Sequence, residues 1–191
     1  VRQCADRGKP FGLKVSRNVL ASLNMNLNEI SACIGRQQLR KLGSIVRRRR
    51  AVAERIRSGL AGLQAVKAPA LPRGSEPSYW FLRLSLDATK LQVGKEQFCK
   101  ALAAEGVPGV NPSYRHIPSE SPWFIERRVF GTPGLPWTCP LYKGNPDREY
   151  PVPNVIAATD ACFSVGIHEG MRVSDGAAIA KAIAKVEAAY L

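Results

Sequence analysis

Apolar residues recur at three- and four-residue steps from Ile30 onward: Ile30, Ile34, Leu42, Ile45, Val46, Ala53, Ile56, Leu60 and Leu63. That spacing keeps one face apolar on a 3.6-residue turn and predicts a long helix over Leu27–Leu63. Asn26 and Glu29 have the spacing of a capping box, which places the helix start near Asn26. The segment before it, residues 1–26, reads as loop, with the turn-forming run Gly8-Lys9-Pro10-Phe11-Gly12 and several asparagines. The prolines at 69, 72 and 77 end the helical pattern and mark a connector.

Beyond the connector the period changes to two. Trp80, Leu82, Leu84 and Leu86 fall on one side of an extended segment and Tyr79, Phe81, Arg83 and Ser85 on the other, which predicts a strand. Lys95–Glu105 returns to a helical pattern through Phe98, Ala101 and Leu102, and Gly106 stops it. From there to Pro153 the chain is irregular and rich in proline and aromatic residues, as in Pro122-Trp123-Phe124 and Leu135-Pro136-Trp137. Such a segment suits a lid or binding loop packed by its own side chains. A short helix over Pro153–Ala161, a strand over Cys162–His168 and a last helix capped by Ser174 complete the order. The implied fold class is α+β: a long helix, then a small mixed or antiparallel sheet covered by helices on one face. Residues 1–67 form the loop and long helix, and residues 68–191 a small domain.

A composition of 45% hydrophobic and 23% charged residues in 191 positions excludes wholesale disorder. No apolar run approaches a membrane span, and the first residues lack the apolar core of an export signal, so a cytoplasmic location is expected. The five cysteines (Cys4, Cys33, Cys99, Cys139 and Cys162) are odd in number and widely spaced. They read as reduced thiols, not as a disulfide framework or metal site.

The net charge of +13 admits an acidic or nucleic-acid partner. Nine basic residues and one acid lie between Arg36 and Arg57, yet Arg47–Arg50 advance about 100° each around the helix and make no flat basic stripe. Nucleic acid is therefore the less favoured partner, and a basic binding module remains the alternative. No glycine-rich phosphate loop follows a predicted strand, and no Ser/His/Asp set or carboxylate pair can be assembled.

The segment from Asn18 to Leu39, with Asn24-Met25-Asn26-Leu27-Asn28-Glu29 at its centre and Ile34-Gly35-Arg36-Gln37-Gln38-Leu39 at its end, resembles a motif of the DegT/DnrJ/EryC1/StrS sugar aminotransferases. Likeness continues at Ser78-Tyr79-Trp80-Phe81, over Glu96–Val107, and at Ile167-His168-Glu169. The resemblance implies the C-terminal portion of a fold type I pyridoxal-phosphate transferase that moves an amino group from an amino acid to a keto-sugar or cyclitol. It also implies a homodimer whose sites are shared between subunits.

On the same resemblance Asn24 matches the asparagine that reaches the phosphate of pyridoxal 5'-phosphate. Asn26 stands where the family usually has a substrate-side arginine, and His116 falls in the loop at the substrate entrance. His168 and Glu169 are expected to fix the turn into the last helix. No lysine sits in the context of the family's Schiff-base lysine, so no catalytic residue is assigned and the chain alone is expected to be inactive.

Overall fold

A computed structural model describes residues 12, 25, 27–112, 117–127 and 134–191. Helix α1 (Glu29–Gly59) runs unbroken through Gly43. Its cap is Asn28, whose Oδ1 accepts the Ser31 amide at 2.8 Å. This corrects the expected role of Asn26: the helix begins two residues later than the capping-box spacing implied, and the nearer asparagine satisfies the free amide.

The chain forms two units, residues 1–45 and 46–191. In the first, the described apolar side chains Leu27, Ile30, Ile34, Leu39 and Leu42 are all exposed, Ile30 by 75%. In the second, the same helix is amphipathic in the ordinary way and buries Val52, Ala53 and Ile56.

That second unit is built on an antiparallel sheet in the order β1 (Val66–Lys67), β2 (Phe81–Leu86), β3 (Cys162–Gly166). Leu82 pairs with Val165 and Leu84 with Phe163, so the apolar side of both strands faces one way. Against it lie Phe98 and Leu102 of α2 (Lys95–Ala104) and Ile179, Ile183 and Val186 of the last helix. Phe98 and Phe163 meet edge to face at 5.9 Å.

Regular alternation begins at Phe81, not Trp80. Tyr79 adopts a left-handed backbone (φ 48°), which breaks the extended run, and Tyr79 packs on the core while Trp80 is 71% exposed. The strand β1, absent from the sequence reading, pairs Val66 with Leu86.

Beyond α2, two short helical turns, Pro118–Glu120 and α3 (Pro122–Ile125), lie in the irregular segment, and α4 (Pro153–Asp160) leads into β3. The far edge of β3 is closed by residues 108–111: Asn111 exchanges two backbone bonds with Ser164 at 2.9 Å each. This approach requires glycine at 109, which has φ +58° and would carry a Cβ only 3.0 Å from the Gly166 backbone.

Helix α5 (Val173–Tyr190) starts one residue before Ser174, which is therefore not the cap. The Asp175 carboxylate instead reaches back to the Arg172 amide at 2.8 Å. Helices α1 and α5 cross closely because Gly59 faces Ala180 and Gly176 faces the Val52 carbonyl.

Candidate functional site

In the proline- and aromatic-rich segment, described residues on either side of Arg127 converge on its side chain. Its guanidinium carbon lies 4.8 Å from the Phe124 ring centre and 4.7 Å from that of Trp137. Arg127 Nη1 donates to the Phe124 carbonyl at 3.3 Å and Nη2 to the Arg148 carbonyl at 3.2 Å. Phe124 also meets Tyr150 edge-on at 5.5 Å, and the Arg148 guanidinium stands over the Tyr150 ring. One arginine thus ties together residues 124, 137 and 148, which local chain stiffness alone would not hold in register.

This scaffold borders an open cavity of about 460 Å³. Ile117, Pro118, Val152 and Val155 form its aliphatic wall, Phe124 and Tyr150 its aromatic wall, and Ser119 adds a hydroxyl. Loss of surrounding water and a hydrogen bond to Tyr150 raise the Tyr142 hydroxyl above the ordinary tyrosine pKa. Gly144 makes room for that ring, since a Cβ there would stand 2.6 Å from the Tyr142 hydroxyl oxygen. The cavity has the form expected of a small-molecule site: a mostly apolar concavity with a few polar groups.

Asn24, Asn26 and His116 lie outside the described residues. The cavity wall begins at Ile117, the residue after His116. His168 and Glu169 behave as the sequence suggested, because His168 Nδ1 accepts the Gly170 amide at 3.2 Å and closes the turn. The Glu169 carboxylate takes a 2.7 Å bond from Arg49 Nη2, which holds it below the usual carboxylate range.

Four members of the basic run, Arg48, Arg49, Arg50 and Arg57, are engaged by the protein itself. Arg48 donates to the Glu169 carbonyl at 2.8 Å, Arg50 to the carbonyls of Pro77 and Glu76, and Arg57 to Pro69. Arg50 and Arg57 fasten the connector to helix α1, and Arg48 and Arg49 hold residue 169, a job for a forked donor with oxygens in reach.

Among the described residues no group of three or more His, Cys, Asp or Glu could hold a metal ion, and no helix is long and apolar enough to cross a membrane.

Residues 7–128 match the model of the DegT/DnrJ/EryC1/StrS aminotransferase family. The chain belongs to that family. Among solved structures, the aminotransferase TlmJ from Streptoalloteichus hindustanus is similar at 23% identity with a TM-score of 0.70, over 98% of this chain and 44% of that one. DesV of S. venezuelae, in complex with a ketimine intermediate, is similar at 19% identity and TM-score 0.71, over 97% and 43%. Helicobacter pylori PseC, an aminotransferase involved in pseudoaminic acid biosynthesis, is similar at 15% identity and TM-score 0.71, over 98% and 45%. No curated protein matches. These likenesses show that the fold is that of the aminotransferase neighbours, and the chain spans a little under half their length.

A DegT-family site for pyridoxal phosphate needs a free amine for the aldehyde and a carboxylate for the ring nitrogen. Among the described lysines, Lys90 is bonded to the Gln64 carbonyl and Asp87, Lys95 to the carbonyls of Thr159 and Cys162, and Lys185 to Glu105. Lys41, Lys67, Lys100, Lys143 and Lys181 are exposed, and none of the eight lines the aromatic cavity. The described residues do not fit the coenzyme, and no chemical step through it is assigned to them.

Sequence reasoning identified the loop but not its working residues. Phe124, Arg127 and Tyr150 are spread over 27 positions with no periodicity. The usable signal was compositional: aromatic rings interleaved with arginines in a segment too apolar to be a spacer.

Proposed function

We propose that this chain is the C-terminal part of a pyridoxal-phosphate aminotransferase, a homodimeric cytoplasmic enzyme that transfers an amino group from an amino acid to a keto-sugar or cyclitol. The family match over residues 7–128 carries this reading. The Schiff-base lysine comes from a preceding large domain, which leaves this chain inactive by itself. The exposed apolar row from Leu27 to Leu42 supports that division of labour, being the kind of surface a larger body covers.

Asn24 contributes a neutral donor to the coenzyme phosphate, and Asn26 and His116 face the substrate. When bound, the coenzyme supplies the electron sink for moving the amino group. The engagement of Arg48, Arg50 and Arg57 with backbone carbonyls weighs against the basic-module alternative, because donors already paired have less to offer a phosphate backbone.

Incubation with pyridoxal phosphate, borohydride reduction and peptide mapping test the assignment. The chain alone should yield no single labelled lysine. Joined to a family segment carrying the lysine, it should yield one labelled lysine on that segment and ketone amination with an amino-acid donor. Specific labelling of the isolated chain, or no labelling of the joined protein, would overturn the proposal.

A further inference from the structure

A second open cavity, of about 570 Å³, lies where β1 and β2 meet the end of α4, and it shares no lining residue with the one between α3 and α4. Ala88, Ala157 and Ala161 give it hydrocarbon, and Gln64, Lys67, Asp87, Lys90 and Asp160 give it polar groups. The two lysines are not equivalent. Lys90 Nζ donates to the Gln64 carbonyl at 3.2 Å and stands 3.5 Å from the Asp87 carboxylate, which also accepts the Thr89 hydroxyl at 2.6 Å. Ser85 Oγ donates to the Lys67 backbone carbonyl at 3.0 Å, but the exposed Lys67 ammonium has no hydrogen bond or ion pair among the described residues. The side-chain amide of Gln64 has no partner among them either.

We infer that this cavity binds a small monocarboxylate with an aliphatic or aromatic body, its carboxylate held by Lys67 and Gln64 and its body laid along Ala88, Ala157 and Ala161. An ammonium and an amide without acceptors supply the charge-assisted bonds that a carboxylate takes. The alanines supply apolar area that a wholly polar ligand would not use. Asp87 and Asp160, on the same wall, repel a second negative charge, so one carboxylate suits the cavity better than two. The inference goes beyond the transferase reading and does not depend on it.

Amide chemical-shift NMR titration of the purified chain tests this, with 3-phenylpropanoate, its neutral counterpart 3-phenylpropanamide and the dicarboxylate phenylsuccinate as probes. The monocarboxylate should move the amides of residues 64–67, 87–90 and 157–161, which surround the cavity. It should bind about three- to tenfold tighter than the amide, the range for a charge-assisted bond at an exposed lysine, and tighter than the dicarboxylate. Lys67→Met should remove the preference for the carboxylate over the amide, and Lys67→Arg should keep it. Ala157→Trp should block binding of all three probes. Should that variant misfold by circular dichroism, the two Lys67 variants, changed at an exposed side chain, decide the matter.

No shift at those amides, equal affinity for carboxylate and amide, tighter binding of the dicarboxylate, or a Lys67→Met variant that keeps the preference would overturn the inference. None of these results bears on borohydride labelling of the joined protein. Failed labelling would in turn sink the transferase reading without touching this site.

Discussion

The Glu187 carboxylate and the Val66 amide, 121 positions apart in sequence, meet at 2.8 Å in the interior of the residue 46–191 unit. Glu187 is 2% exposed, and its two oxygens also accept the amides of Gln64 at 2.7 Å and Ala65 at 3.1 Å. A buried carboxylate normally costs stability. Here three backbone donors from the turn into β1, which would otherwise be left without these partners, compensate it.

Glu187→Ala should therefore be more damaging than a surface change of the same size. It strands three amides and opens space beside the core, and a loss of about 2–4 kcal/mol is expected. Glu187→Gln keeps the shape but can accept at only one oxygen, and should lose less. Urea unfolding followed by circular dichroism measures both, and a loss below about 0.5 kcal/mol for the alanine variant would contradict this account.

The crossing of α1 and α5 predicts opposite signs for two glycine substitutions. At Gly176 an added methyl would stand 2.8 Å from the Val52 carbonyl oxygen, a backbone atom that cannot swing aside. Gly176→Ala should destabilise by about 1–3 kcal/mol. At Gly35, on the exposed part of α1, nothing lies within 4 Å, so Gly35→Ala should stabilise by up to about 1 kcal/mol through helix propensity. Thermal melts of the two variants should shift in opposite directions.

Acid should release the turn at residues 168–170. The Arg49 bond lowers the Glu169 pKa below its unfolded value, so its contribution is full above the unfolded carboxylate pKa. That contribution disappears as the pH falls through the lower, folded value. Glu169→Gln should flatten this part of the stability-pH profile by lowering stability in the neutral region, and leave the acid end, where the contribution is already lost, little changed. An unaltered acid limb would show that the pair is not coupled to folding.

Thiol chemistry should separate Cys33 from Cys99. Burial, reinforced by the charge of Glu96, pushes the Cys99 thiol up to about 11, while Cys33 is exposed on α1. At pH 8 an alkylating reagent should modify Cys33 rapidly and Cys99 only on unfolding. Peptide mapping after a timed quench distinguishes them, and equal rates would contradict the buried placement.

Local periodicity made β2, α2 and α5 readable to within a few residues, because each buries one regular face. The strand β1 was not readable. It is only two residues long, and its pairing with β2 and its amides' bonds to Glu187 are both non-local. Trp80 was assigned to the buried face because alternation assumes an extended chain, which the left-handed Tyr79 interrupts. The attachment of Arg50 and Arg57 to the connector carbonyls left no trace in spacing. The cavity was hidden for the same reason: the contact of Phe124 with Tyr150 and the bond from Arg127 to the Arg148 carbonyl join positions far apart in sequence.

The bond between Glu187 and Val66 also sets the order of events as the polypeptide leaves the ribosome. Residues 64–66 emerge long before α5, and until Glu187 arrives their amides can be served only by water. The first strand consequently has no stable home while synthesis continues, and the residue 46–191 unit must close late and cooperatively. A loop closed across 121 positions also has an entropic cost that must be met before its contact forms, which places this bond among the late ones to form.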